Sequence, residues 1–340
     1  MSTSLKDILA TWYPRRDETE WVLCTLFQTE GSSYRKPGAM MMFSGDGAQL
    51  GILSGGCLEG DIQRHAQTVM ASQKAKTITY DATDEDDVTF QLGIGCGGVV
   101  HILMQPVCAE NNYLALENVF HACEQSETGL YKQVIPNSPD TAKASFSRTD
   151  VQHQWSLNRR SQLESIEGVT YLVTHIFPEP HLLVIGGGFD ARPVTQMAKL
   201  LGWRVSLWDQ RPANARQAYF KEVDNICEGD LESVAQYATT QNITGVILMS
   251  HSVSIDAKAL AVLHSLPCAY IGLLGPIHRK QQVIEQSGIH PSTMQTKLSG
   301  PIGLDLGGET PESIALCMLS EMHAVICQRN GKSISQVTID

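Results

Sequence analysis

His181-Leu182-Leu183-Val184-Ile185-Gly186-Gly187-Gly188-Phe189-Asp190-Ala191 decides the fold of the second half of this chain. An apolar run that short, closed by glycines, reads as a buried strand. The glycines then form G-x-G-x-x-A. A helical pattern follows through Val194, Met197, Ala198, Leu200 and Leu201 and ends at Gly202. Arg204-Val205-Ser206-Leu207-Trp208-Asp209 is a second strand ending in an acid. Asp209 lies about twenty residues past the glycines, where a Rossmann acid meets a ribose hydroxyl. Strand, glycine turn, helix, strand and acid together predict a Rossmann-like, doubly wound parallel sheet. They argue less strongly for a bound dinucleotide, because one fold hosts many functions.

The alternation continues. Gly245 to Met249 is a strand leading to Ser250-His251-Ser252, and residues 255–265 read as a helix. Ala269 to Gly275 is another strand, with a helix over 277–286. Ligands of open parallel sheets bind outside the carboxyl ends of the strands. Gly186, Gly188, Ala191, Asp209, His251, Gly272 and Gly275 therefore face one predicted crevice. His251 is a candidate general base or ligand hydrogen-bond donor, weighed equally against a capping histidine. Thr310, with Pro311 behind it, caps a last helix reaching about Cys327.

The first half carries two cysteines embedded in glycines. Leu53-Ser54-Gly55-Gly56-Cys57-Leu58-Glu59-Gly60-Asp61 places Cys57 where an apolar run gives way to a helical pattern over 58–72. Free N–H groups and the partial positive charge of a helix start favour an anion or a thiolate there. Gly93-Ile94-Gly95-Cys96-Gly97-Gly98 places Cys96 just before the apolar run Val99 to Met104. One such loop reads as a tight turn with a structural cysteine; two suggest loops framing one pocket. Trp21 to Phe27 is a strand, and the loop after it holds Ser32, Ser33 and Arg35, groups suited to phosphate. Taken alone, that loop reads as a surface hairpin. The acidic run Asp84 to Asp87 reads as solvated. Residues 112–124 are predicted helical, 128–178 mostly short strands, and 157–167 a loop. Pro178-Glu179-Pro180 marks the boundary between an N-terminal α+β domain, 1–178, and the Rossmann-like domain, 181–340.

A net charge of −11 over 340 residues argues against a nucleic-acid partner. No apolar run approaches the ~20 residues that span a bilayer, and the start lacks a signal-peptide core. A cytoplasmic protein is expected. Nine cysteines without C-x-x-C pairs suggest neither a disulfide framework nor a zinc finger.

In this order, Ser33-x-Arg35-x-x-Gly38-Ala39-Met40, Ser54-Gly55-Gly56-Cys57-Leu58-Glu59-Gly60, Gly93-x-Gly95-Cys96-Gly97-Gly98, the Rossmann glycines, Asp209-x-Arg211-Pro212, Ser250-His251, Tyr270 to Gly275 and Pro301-Ile302-Gly303-Leu304-Asp305 resemble the XdhC/CoxI family. These are accessory proteins of xanthine dehydrogenase and related molybdenum hydroxylases. The resemblance covers nearly the whole chain and departs from the family at Ser252, Pro276 and Gly308. It implies a carrier that binds molybdenum cofactor (molybdopterin), keeps it during sulfuration and inserts it into an apo-hydroxylase. A cysteine desulfurase is then a second partner, and a homodimer is expected. Ser33, Arg35, Gly55, Gly56, Glu59, Gly95 and Gly97 would hold the cofactor, with Cys57 or Cys96 a transient molybdenum ligand. Asp305 would join the crevice, for a nucleotide or the pterin. The alternative reading is an NAD(P)-dependent oxidoreductase working through the Rossmann domain.

Overall fold

The computed structural model describes residues 4–82, 98–138, 140, 142–149 and 161–335. The chain divides into two compact units, one running to Pro178 and the other beginning at Glu179.

In the first unit, α1 (Leu5–Trp12) precedes a five-stranded antiparallel sheet. Its strands are β1 (Trp21–Glu30), β2 (Met40–Ser44), β3 (Gln49–Gly51), β4 (Lys76–Asp81) and β5 (Val99–Val107), in the order β3-β2-β1-β5-β4. Residues 21–27 of β1 and 40–43 of β2 are apolar at every position but Thr25, because both faces of the sheet are covered there. Val22, Cys24, Leu26, Met41 and Phe43 meet α2 (Glu59–Ser72), which presents Ile62, Ala66 and Val69 at one-turn spacing. Trp21, Leu23, Met40 and Met42 pack instead with Ile8, Leu9 and Trp12 of α1 and with Leu116 and Val119 of α3 (Leu116–Glu124). The helix expected from 112 begins only at Leu116: Asn112 to Ala115 take left-handed backbone angles, φ 47° to 56°. Tyr113 there donates its hydroxyl to Asp17 at 2.6 Å.

A second antiparallel sheet holds β6 (Gly129–Ile135), β7 (Ala144–Arg148), β8 (Ser161–Ile166) and β9 (Val169–Ile176), in the order β7-β6-β9-β8. β8 corrects the loop expected over 157–167. Its two apolar residues, Leu163 and Ile166, fall on opposite faces and are exposed, so no alternation marks the strand. Backbone pairing with β9 makes the strand, through a two-residue turn at Glu167 and Gly168, both at positive φ.

The second unit is a Rossmann domain. Six parallel strands, β10 (His181–Ile185), β11 (Arg204–Trp208), β12 (Asn225–Ile226), β13 (Gly245–Leu248), β14 (Tyr270–Leu273) and β15 (Leu298–Ser299), lie in the order β12-β11-β10-β13-β14-β15. α4 (Ala191–Leu200) and α8 (Pro311–Ile326) cover the face of Leu182, Val184, Val205 and Ile247. α5 (Leu231–Thr240), α6 (Val253–Leu263) and α7 (Ile277–Ser287) cover the other, over Leu183, Ile185, Val246 and Ile271. The strand order reverses between β10 and β13, which is where such folds place a ligand.

Two buried polar groups brace this unit. Asp256 on α6, fully buried, accepts from Arg279 at 2.5 Å and from the Ser250 hydroxyl at 2.6 Å. His181 is buried beside Ser206 Oγ at 2.8 Å, and Ser206 in turn meets the Tyr237 hydroxyl at 2.9 Å. Burial, aided by the Arg204 cation, pulls the His181 ring down to about 4. Replacing Arg279 by Met strands the Asp256 carboxylate and is expected to cost about 3–5 kcal/mol in denaturant unfolding. His181 binds its proton more weakly folded than unfolded. Its contribution is whole above pH ~6.5 and is lost as pH falls towards 4, up to about 3 kcal/mol. Denaturation midpoints measured across that window should fall with pH in the wild type and fall less in His181→Gln.

Candidate functional site

Strand directions gather the motif loops of the first unit. β1 ends at Glu30, paired with Val99 at the start of β5, and Val99 also pairs with Asp81 at the end of β4. β2 begins at Met40, next to the end of β3, where Met41 pairs with Gly51. The connections 31–39 and 52–58, and the chain entering β5, therefore all leave one edge of the sheet. Gly98 sits there against the first loop: a Cβ on it would lie 2.2 Å from the Ser32 carbonyl oxygen.

In the loop 31–39, Ser33 Oγ is sequestered from solvent and has no hydrogen-bond partner among the described residues. Arg35 is half-buried, and its guanidinium makes no ion pair among the described residues. An orphaned buried hydroxyl is costly unless something else completes it. A hydroxyl and a guanidinium in that condition two residues apart suit an anion.

In the loop 52–58, Gly55, Gly56 and Cys57 are exposed, while Ser54 and Glu59 are 8 % and 5 % exposed. Gly56 has φ +101°, and nothing lies within 4 Å of a Cβ added at Gly55 or Gly56. Ser54 Oγ accepts from the N–H groups of Cys57 (3.2 Å) and Leu58 (3.0 Å). Both Glu59 oxygens turn inward to Ser54, one accepting its N–H at 2.8 Å and the other its hydroxyl. Glu59 thus faces the loop's buried side. Ser54 is the hub that the sequence reading passed over, although it opens the Ser-Gly-Gly-Cys run. Asp61, one turn into α2, accepts from Tyr80 on β4 at 2.6 Å. Burial pushes its carboxyl up, but the bonds from Tyr80 and Arg64 more than reverse this and leave it lowered. Gly95, Cys96 and Gly97, with the acidic run Asp84 to Asp87, lie outside the described residues. Among the described residues no group of three or more His, Cys, Asp or Glu could hold a metal ion.

The second unit gathers its own motifs at the carboxyl ends of its strands. Gly186, φ +119°, passes so close to β13 that a Cβ would lie 2.5 Å from the Met249 carbonyl oxygen. Ala191 is buried in the first turn of α4. His251, exposed and in a left-handed conformation at φ +61°, sets Nε2 2.8 Å from Asp190 Oδ2. Gly188 leaves room for that pair, since a Cβ there would lie 2.5 Å from Asp190 Oδ1. Asp190 was not singled out in the sequence, though it occupies a variable position of the glycine motif. Asp209 is 7 % exposed and already engaged: it accepts from the N–H groups of Gly187 (2.8 Å) and Arg211 (2.7 Å) and from the Arg211 guanidinium. Burial raises its carboxyl, and the bonds from Arg211 and Gly187 overcome this and hold it below its ordinary value. Gly272 faces the loop after β15, where a Cβ would strike Ile302 at 2.3 Å, and Gly275, φ +118°, gives way to the Arg279 side chain. Glu321 on α8 anchors that loop by accepting from the Gly303 N–H at 2.7 Å. Asp305 is exposed beyond it.

Cys24, Cys123, Cys227, Cys268 and Cys317 are buried, whereas Cys57 is exposed. Burial pushes the Cys227 and Cys268 thiols up to about 11 and the Cys24 thiol up further still. Alkylation of the native chain, read by peptide mass spectrometry, should label Cys57 at least roughly tenfold faster than these three.

Comparison with known proteins fits this arrangement. Residues 182–322 match the XdhC Rossmann domain, and residues 15–81, from before β1 through β4, match the XdhC and CoxI family. The chain is 28 % identical over 314 residues to a probable xanthine dehydrogenase subunit of Bacillus subtilis, covering 90 % of this chain and 93 % of that one. It is 23 % identical over 308 residues to the molybdenum cofactor insertion chaperone PaoD of Escherichia coli, covering 89 % and 83 %. A crystal structure described as a xanthine dehydrogenase from Bacillus halodurans superposes with a TM-score of 0.79 at 27 % identity, over 96 % of this chain and 97 % of that one. With the loop-bearing segment and the Rossmann domain both matched on one chain, the protein belongs to the XdhC and CoxI family.

Proposed function

We propose that this chain is an accessory protein of molybdenum enzymes. It holds molybdenum cofactor at the loop edge of the first sheet while sulfur is installed, then inserts it into an apo xanthine dehydrogenase or a related hydroxylase. The similarity to an insertion chaperone supports the accessory role. The observation that carries the cofactor reading is an orphaned buried Ser33 hydroxyl two residues before Arg35, whose guanidinium makes no ion pair among the described residues, in a loop at the edge from which the Cys57 loop also leaves. The residues present fit the group. Ser33 and Arg35 would take its phosphate, the open Gly55-Gly56 backbone would lie against it, and Cys57 would offer a soft ligand, with Gly95, Cys96 and Gly97 completing the set. When bound, the cofactor supplies a molybdenum centre with sulfur ligands. The chain's own residues orient it and let it go, which a single exposed thiol permits better than a closed cage of ligands. No helix among the described residues is long and apolar enough to cross a membrane. A cytoplasmic homodimer that also meets a cysteine desulfurase completes the proposal.

The test is cofactor content. The chain is expressed in a host that makes the cofactor, and molybdenum and pterin are measured on the purified protein. Wild type should carry both. Cys57→Ala and Cys96→Ala should lose most of the molybdenum. Arg35→Ala should weaken pterin retention roughly tenfold or more, the scale of a charged hydrogen bond. Equal content in all four proteins would overturn the reading.

The glycine turn at the switch point favours a second reading, a nucleotide held by the Rossmann domain for NAD(P)-dependent chemistry. The engagement of Asp209 by Gly187 and Arg211 weighs against it, because the ribose hydroxyls would have to displace bonds already made. Calorimetry with NAD+, NADH, NADP+ and NADPH separates the readings: the carrier proposal expects no heat of binding beyond dilution.

A further inference from the structure

Beneath the exposed Cys57 loop lie two side chains more than nine-tenths buried, and we propose that Glu59 and Ser54 are positioning residues for Cys57. The proposal rests on the carrier reading and deepens it: Glu59 serves the cofactor through the loop, without touching it. Ser54 gives its N–H to one Glu59 oxygen and its hydroxyl proton to the other. With its proton committed, the hydroxyl turns its lone pairs to the N–H groups of Cys57 and Leu58. A serine hydroxyl has one donor and two acceptor sites, so all three are in use. Glu59 makes no ion pair among the described residues; hydrogen bonds and the start of α2 balance its charge. The consequence is directional. The Cys57 N–H is pulled inward, the thiol side of the residue stays exposed, and the N–H groups of Gly55 and Gly56 find no acceptor among the described residues. Removing the hydroxyl would orphan three groups at once: the Cys57 and Leu58 N–H groups and one carboxylate oxygen.

The experiment measures the alkylation rate of Cys57 in the full chain, by peptide mass spectrometry, for wild type, Ser54→Ala, Ser54→Thr, Glu59→Gln and the double variant Ser54→Ala/Glu59→Gln. Circular dichroism checks that each is folded. Ser54→Ala and Glu59→Gln should each change the rate by about fivefold, the factor carried by one ordinary hydrogen bond. The double variant should change it no further than the larger single effect, because the two residues act as a unit. Ser54→Thr keeps the hydroxyl and should restore the wild-type rate. If Ser54→Ala does not fold, the nearly isosteric Glu59→Gln decides. A Cys57 rate unchanged in Glu59→Gln overturns the proposal. Cofactor content measured on the same proteins separates the two failures. Unchanged content in Cys57→Ala sinks the carrier reading, while the alkylation rates still report on positioning.

Discussion

The candidate site depends on the pairing of β1 with β5. That ladder runs from Trp21 opposite Val107 to Glu30 opposite Val99, across one irregularity between Leu26 and Gln28. Because β1 runs on past β2, its last residues reach the rim together with the first residues of β5. The loop that carries Ser33 and Arg35 is pressed against Gly98 there, and glycine is the residue that lets two backbones meet so closely. A one-residue slip would exchange the faces of every side chain on β1, and two covered faces forbid it. The cores on both sides of the sheet thus hold the position of a polar rim to which they contribute no group.

The two units treat their acidic groups alike. Glu59 supports a loop that carries a thiol, Asp209 supports the glycine turn after β10, and Asp256 ties the end of β13 to α7. Each is buried, and each is engaged by N–H, hydroxyl or guanidinium donors of its own unit. A buried carboxylate left without such donors would be strongly destabilising, so these loops can change shape only by breaking several bonds together. What stands open to a ligand is backbone, a thiol, a guanidinium and the His251–Asp190 pair.

Much of the fold was legible. The Rossmann alternation followed from short apolar runs closed by glycine and from helix periodicity, which mark β10, β11, β13 and β14. Legibility failed where backbone pairing or tertiary contact outweighed local pattern. β12 and β15 are too short to show any alternation and are strands because a parallel neighbour pairs with them. β8 puts one apolar residue on each face, Leu163 and Ile166, and exists because β9 offers it hydrogen bonds. α5, by contrast, was legible but passed over: Asp230 caps it, and Leu231, Val234 and Ala238 repeat at helical spacing on its buried face. Asn112 to Ala115 left the helical pattern for a left-handed turn.

By itself the sequence determined the fold class, the glycine turns and the residue types at the site, because those follow from periodicity, from the backbone freedom of glycine and from the chemistry of thiol, hydroxyl and guanidinium. Tertiary structure decided which of these groups are available. It turned Glu59 inward to Ser54, closed Asp209 with Arg211 and paired His251 with Asp190. Among the described residues it left Ser33 without a hydrogen-bond partner and Arg35 without an ion pair. The physical reason is that a side chain's type states which bonds it can make, while only the placement of its neighbours states which of those bonds are already made.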